Sequence, residues 1–250
     1  MPKTPDARTV TPAQAGVQSF RKALDTGLRR YDDASTPVRF LDVGLIPYTD
    51  AWELQRRIHA EVVSGADSAL ILCEHPPVIS LGSQTKDGNL LMDPETCRER
   101  GIDVVETDRG GDITYHGPGQ LVGYPIFRLR DFPCGEDLHR FVRAIEEVLI
   151  RALAEFDIEA GRVEGKTGAW AGDKKIASIG LKCSRWVSMH GFALNVTNDL
   201  TPFHLINPCG LSAEVMTNMA QLGQSVSMDA VKEAVLRGFG DVFDCRITKA

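Results

Sequence analysis

The stretch Arg109-Gly-Gly-Asp-Ile-Thr-Tyr-His-Gly-Pro-Gly-Gln120 sets four glycines and one proline into a run of β-forming residues. Glycine inside a strand removes a packing side chain, so it marks a bulge, a corner, or a place where another group must approach the backbone. A hairpin that merely turns a corner accounts for the glycines taken alone. Arg109, Thr114, Tyr115 and His116 add a polar set around them, and the amides of Gly110 and Gly111 are expected to lie bare between these side chains. The stretch therefore reads as one wall of a site for a small ligand with a polar head.

Working outward, Ile102–Val105 is a strand leading into this wall and Leu121–Phe127 a strand leaving it. Pro125 lacks an N–H, which points to an edge position or a bulge. Upstream, Val38–Val43 reads as a strand, and Asp50 with Glu53 forms a capping-box pattern. The helix that follows should turn Trp52, Leu54, Ile58 and Val62 inward and stop at Gly65. Ala69–Cys73 is wholly apolar and reads as a buried strand. His75-Pro-Pro77 turns the chain into a strand Val78–Leu81 and a loop Gly82–Lys86, and Leu90–Arg100 is a linker holding a short helix. Downstream, Glu136–Phe156 repeats apolar residues with the helical period, from Leu138 and Phe141 through Ile145 and Leu149 to Leu153. Thr167–Trp170 and Lys175–Leu181 form a hairpin about Gly172-Asp173, and Trp186–Val196 continues the sheet. Two short helices, the second starting near Ser227, are expected to close the chain.

Strands and helices rarely alternate in strict βαβ order. The expected class is α+β, an α/β two-layer arrangement with a mixed, largely antiparallel sheet flanked by helices. Residues 38–250 read as a single domain. Residues 1–37 lack sustained apolar periodicity and read as a disordered extension. Asp6, Asp25, Asp32 and Asp33 argue against a mitochondrial transit peptide there.

At 250 residues with 43% hydrophobic and 25% charged content, the chain can bury a sizeable core. A net charge of −6 argues against a nucleic-acid surface. No apolar run reaches the length of a membrane span and no signal peptide is visible. The six cysteines are scattered without a CxxC pair, which suits reduced thiols in a cytoplasmic protein.

Among these thiols Cys209 differs by its setting, with Pro208 before it, Gly210 after it and an expected helix start at Ser212. A helix N-terminus stabilises a thiolate. Cys73 and Cys183 lie in apolar strands and read as core, whereas Cys97, Cys134 and Cys245 fall in polar or terminal surroundings. A nucleophilic thiol needs a base or cation beside it. His116, His190 and His204 are available, as is Lys175, which opens an otherwise apolar strand next to Lys174; spacing alone leaves lysine and histidine both open. Cys73-Glu-His75 does not have zinc-ligand spacing, and the 110–119 loop lacks the ending of a phosphate-binding loop, so no metal or cofactor is expected.

Four blocks, RGGDITYHGPGQLVGYP (109–125), KKIASIGLK (174–182), HGFALNV (190–196) and INPCG (206–210), together resemble the octanoyltransferases of lipoic acid biosynthesis, lipoyl(octanoyl) transferases. The resemblance runs in order from about Val38 to the C-terminus. It implies the fold of lipoate- and biotin-protein ligases. It also implies transfer of an octanoyl group from octanoyl-acyl carrier protein, through a cysteine thioester, to a lysine of lipoyl domains. The acceptors would be the lipoyl domains of 2-oxoacid dehydrogenases and the glycine cleavage H protein, served by a monomer.

Carried over by position, the nucleophile falls on Cys209 and the lysine that lowers its pKa on Lys175. The substrate-binding positions fall on Arg109, Gly110, Gly111, Asp112, Ile113, Thr114, Tyr115 and His116, on Ser178, Ile179 and Gly180, and on Gly191, Phe192 and Ala193. After Gly82 the family shows arginines where this chain has Ser-Gln-Thr, so a basic contact to an acidic carrier is weaker or supplied elsewhere. Amides near the 109–120 glycines and near Lys175 are the expected oxyanion donors. An ATP-dependent lipoate-protein ligase of the same fold and a non-catalytic module that binds lipoyl domains or carrier protein are the alternatives.

Overall fold

The computed structural model describes residues 35–207 and 213–250. Most of the 1–37 extension, the Pro208-Cys209-Gly210 part of the INPCG block and the helix start expected at Ser212 lie outside these residues.

An eight-stranded sheet organises the chain in the order β11-β1-β2-β6-β10-β9-β8-β7. β1 (Thr36–Leu45) pairs in parallel with β2 (Ser68–Glu74) and with the last strand, β11 (Cys245–Lys249). From β2 onward every pairing is antiparallel, through β6 (Gln120–Ile126), β10 (Val187–Asn195), β9 (Lys174–Ser184), β8 (Lys166–Ala171) and β7 (Gly161–Val163). A second sheet places β3 (Val78–Leu81) between β4 (Asp103–Glu106) and β5 (Thr114–His116). The mixed, largely antiparallel sheet flanked by helices is the expected class.

Alternation along the central strands makes two unlike faces. Leu70, Leu72, Leu121, Phe192 and Leu194 turn to one face and pack under α3 (Leu138–Ala154) and α4 (Met228–Phe243). Ala69, Ile71, Val122, Tyr124 and Ala193 turn to the other, under α1 (Tyr48–Val63). The short helix α2 (Pro94–Glu99) is capped by Asp93, whose side chain accepts from Thr96 N, and supports β4.

Several local expectations change. α1 starts at Tyr48 rather than after Asp50, and no side-chain hydrogen bond caps it. Its buried stripe is Tyr48, Ala51, Gln55, Ile58 and Val62, with Trp52 and Leu54 only partly buried at its flank. Gln55 holds its inward place because its Oε1 accepts the His190 N–H at 2.9 Å. Pro125 lies in a central strand, not an edge. Its ring faces β10 at Gly191, just beyond the last β6–β10 pair at Gly123, so the ladder lacks no donor there.

Cys97, Cys134 and Cys245 are buried, and Cys183 is only partly so, the reverse of the polarity-based reading. The chain closes on strand β11, after a 16-residue α4 capped by Ser227, and not on a short helix. Asp244 takes a left-handed conformation, φ 48°, to turn from α4 into β11.

Candidate active site

The loop before β5 is built around a buried guanidinium. Arg109 donates through Nη2 to the Ser80 carbonyl at 2.6 Å and through Nε to Ser80 Oγ at 3.2 Å. Gly82 sits beneath this loop, where a Cβ would strike the Gly111 carbonyl oxygen and approach Arg109 Nη1 to 2.8 Å. The residues after Gly82 then pair with it, Ser83 N donating to Arg109 O and Gln84 N to Gly111 O. The departure from the family pattern after Gly82 thus falls on a segment zipped to the 109–111 loop.

The same loop lies on β9. Gly110 N donates to Leu181 O at 2.8 Å, and a Cβ on Gly180 would come 2.7 Å from Gly110 O. Two glycines meet because the backbones touch. The Gly110 amide is therefore not bare, and it is no oxyanion donor.

Between this loop and strands β9 and β10 lies a cavity of about 650 Å3. Its lining brings together Arg109, Gly110, Gly111, Asp112, Ile113, Thr114 and His116 with Ser178, Ile179 and Gly180, with Gly191, Phe192 and Ala193, and with Lys175. Tyr115 is the one of the carried-over positions among the described residues that the lining lacks. On β5 it faces away from Thr114 and His116 and packs edge-on against Phe203, ring centroids 5.6 Å apart. Its burial, with Asp199 nearby, pushes the phenol up to about 12. Asp112 accepts from Asn89 Nδ2 at 2.7 Å and from Ile113 N at 2.8 Å.

Of the two buried histidines of the cavity, His116 has both ring nitrogens engaged, whereas His190 Nδ1 has no hydrogen-bond partner among the described residues. His116 Nδ1 donates to Gln120 Oε1 at 2.8 Å, because the Gln120 amide nitrogen already donates to Tyr115 O and Asn195 Oδ1. Its Nε2 then accepts from the Ser80 hydroxyl at 3.2 Å. Burial holds its pKa well below the usual value, helped by His75 and Arg109. His190 donates from Nε2 to Asp108 Oδ1 at 2.7 Å, and Asp108 also takes Lys182 Nζ. Burial lowers the His190 pKa and Asp108 opposes the shift. His204 is exposed on the 3-10 turn Thr201–Leu205 and does not line the cavity, although Phe203 of the same turn does.

Lys174 and Lys175 separate. Lys174 Nζ donates to Glu214 O at 2.6 Å, while Lys175 lines the cavity. The Lys175 carbonyl accepts Thr217 N at 3.0 Å and bridges to Met216, and its Nζ stands 5.7 Å from the Trp170 ring. The Thr217 carbonyl in turn accepts from Asn195 Nδ2 at 2.9 Å, so the chain that leads away from residue 209 is tied to the ends of β9 and β10. Cys209 itself lies outside the described residues.

Other lining residues escaped the sequence reading. Tyr48 enters from the first turn of α1, and Tyr124 and Val122 from alternate positions of β6. Tyr48 stacks near His116 at 5.6 Å, and the Tyr124 hydroxyl donates to His75 Nε2 at 2.7 Å while His75 Nδ1 donates to Ile46 O. Burial lowers the His75 pKa to about 4. The period of two on β6 was the available signal for Val122 and Tyr124; none marked Tyr48, and His75 showed only a turn signal without zinc-ligand spacing. Among the described residues no group of three or more His, Cys, Asp or Glu could hold a metal ion. No described helix is long and apolar enough to cross a membrane.

Residues 47–240 match the lipoyl protein ligase A/B catalytic domain. An octanoyltransferase of Geotalea uraniireducens is 47% identical over 211 residues, covering 82% of this chain and 94% of that one. One of Gloeobacter violaceus is 46% identical over 205 residues, covering 81% and 89%. Among solved structures, a lipoate-protein ligase A bound with ATP superposes with a TM-score of 0.72 at 21% identity over 86% of this chain and 88% of that one. A bi-partite lipoate protein ligase of Thermoplasma acidophilum gives 0.72 at 18% identity over 86% and 87%. At such identities these two speak for the fold, and the first two for the family. The chain belongs to the octanoyltransferases, acyltransferases built on the lipoyl protein ligase A/B catalytic domain.

Proposed function

We propose that this chain takes an octanoyl group from octanoyl-acyl carrier protein as a thioester on Cys209 and passes it to a lysine of a lipoyl domain. The carrying observation is a cavity with small residues (Ser178, Gly180, Ala193) and apolar side chains (Val122, Ile179, Phe192) on its walls and Lys175 among them. Burying methylenes at about 0.8 kcal/mol each gives an eight-carbon chain roughly 5 kcal/mol of binding. The relatives named octanoyltransferase support the same cargo.

Lysine is favoured over histidine as the partner of the thiol. His116 has both ring nitrogens engaged, and His190 is held by Asp108 through Nε2, which leaves Nδ1 as its one unpartnered nitrogen. Lys175 pairs through its backbone with the segment that follows Cys209 along the chain. In the first half-reaction its ammonium holds the Cys209 thiolate, which attacks the thioester carbonyl. The C–S bond to the carrier breaks, and the departing thiolate takes a proton from Lys175. In the second, neutral Lys175 takes a proton from the attacking acceptor amine, the Cys209–acyl bond breaks, and thiolate and ammonium are restored. Thioester exchange is nearly balanced in free energy, so no ATP enters. We place the reaction in the cytoplasm, a setting that suits the five free thiols among the described residues.

The test is intact-mass measurement after mixing with octanoyl-carrier protein. An adduct of octanoyl mass on the wild type, absent from Cys209→Ser, is the expected result; the adduct persisting in Cys209→Ser ends the proposal. The fold shared with a ligase solved with ATP supports one other reading, activation of a free acid. A strict ATP requirement would establish that reading instead.

A further inference from the structure

β9 breaks its alternation beside Lys175. Ala169 of β8 faces Ala177, but Trp170 faces Lys175, so β9 carries one residue more than β8 between these pairs, namely Ile176. Ile176 and Ala177, although consecutive, are both fully buried in the core shared with α3 and α4. Regular pleating would turn Ile176 to the side of Ser178 and Lys175 to the side of Ala177. The extra residue reverses that parity, and Lys175 lines the cavity from the side of Ser178 and Gly180, while Ile179 and Leu181 line it from the other. Re-aiming one side chain is what a bulge beside a site does.

Two residues hold this bulge. Gly168 has φ +129°, and a Cβ there would strike the Ala177 carbonyl oxygen and come 2.8 Å from Lys175 Cε. The stem of Lys175 therefore lies across the space that a side chain would fill. The Gly168 N–H donates to Glu146 Oε1 at 3.0 Å. Glu146 is fully buried on the inward stripe of α3, and its Oε2 accepts from Arg143 Nη1 at 2.7 Å and Arg162 Nε at 3.0 Å. An apolar residue would pack at this position without the cost of desolvating a carboxylate.

We propose that Glu146 and Gly168 are positioning residues that keep the β8–β9 bulge in the shape that turns Lys175 toward the cavity, and that they act on acyl transfer only through that lysine. This rests on the reading of Lys175 as the cation that keeps Cys209 ionised. The test is the pH dependence of Cys209 alkylation by iodoacetamide, followed by peptide mass in the full chain. The set is wild type, Lys175→Ala, Gly168→Ala, Glu146→Gln, and each of the last two combined with Lys175→Ala.

Lys175→Ala should raise the alkylation midpoint. Gly168→Ala should raise it by about one pH unit, since a displaced ammonium no longer offsets the thiolate charge. Glu146→Gln should raise it less, because one amide cannot accept from both Gly168 and the two arginines. Losing a carboxylate would by direct through-space action lower the midpoint, so a rise identifies action through the lysine. Neither substitution should add a shift once Lys175 is alanine. The proposal is overturned by a Glu146→Gln midpoint that stays or falls while Lys175→Ala shifts it, or by shifts that survive in the Lys175→Ala background. If Gly168→Ala does not fold, the Glu146→Gln pair decides alone. A midpoint unmoved by Lys175→Ala removes the reading of the lysine and this proposal with it.

Discussion

The two faces of the eight-stranded sheet are built from the same strands and are filled with different kinds of side chain. Under α3 and α4 the face is filled by rings: Phe127, Phe141, Phe239 and Phe243 contact one another at centroid distances between 5.3 and 6.1 Å. Gly238 of α4 fits against the Val148 backbone of α3, so the two helices close tightly over that layer. The other face, under α1, meets the second sheet through Tyr48, His75, His116 and Tyr124, and holds the buried guanidinium of Arg109 nearby. Ring packing is concentrated on the first face. Polar groups, each desolvated and each needing a partner, are concentrated on the second.

That contrast can be broken by experiment. Phe243→Ala, in the ring layer, should cost about 3–5 kcal/mol in chemical denaturation while leaving transfer per folded molecule unchanged; a selective loss of kcat would contradict the division. On the polar face, His75 is held neutral down to about 4 by its burial. The unfolded chain takes up that proton near 6.5, so its contribution is complete above 6.5 and is lost progressively as pH falls toward 4. The full shift is worth on the order of 3 kcal/mol. Stability measured at pH 7 and pH 4.5 should therefore differ less in His75→Gln than in the wild type, and an equal difference would rule the group out.

Gly180→Ala, which would push a methyl against Gly110 O, should cost about 1–3 kcal/mol and weaken substrate binding, because the loop on β9 must lift. Unaltered KM would show that the loop does not shape the cavity. The smallest effect belongs to neither face. Arg237, paired with Glu155 on the surface, should lose no more than about 1 kcal/mol on change to alanine, with transfer unaffected.

The ring face was legible in the sequence, and the polar face was legible only in outline. Periodicity in α3 and the uninterrupted apolar run of β2 announce burial directly, because the hydrophobic effect acts on each residue by its own type. The glycines at 110 and 180 announce close approach, but not that they approach each other. What remained hidden depends on pairing across long separations. Gln55 is inward because of His190, Tyr124 is satisfied by His75, and Glu146 is tolerated because of Gly168 and two arginines. The extra residue at Ile176 was also invisible, since a bulge belongs to two strands and not to one. Reading Cys97, Cys134 and Cys245 from their polar neighbours failed because burial follows the fold rather than the flanking residues.

One feature of the edge has a bearing on how the protein is made. β1 is bonded on its outer side to β11, so among the described strands the first to leave the ribosome waits for the last. Until Cys245–Lys249 has emerged, the outer hydrogen-bonding groups of Thr36–Phe40 lack the strand that pairs with them, and nascent chains in that interval present an open template for another polypeptide. Emergence of this five-residue strand is then the event that covers the outer side of β1 during biosynthesis.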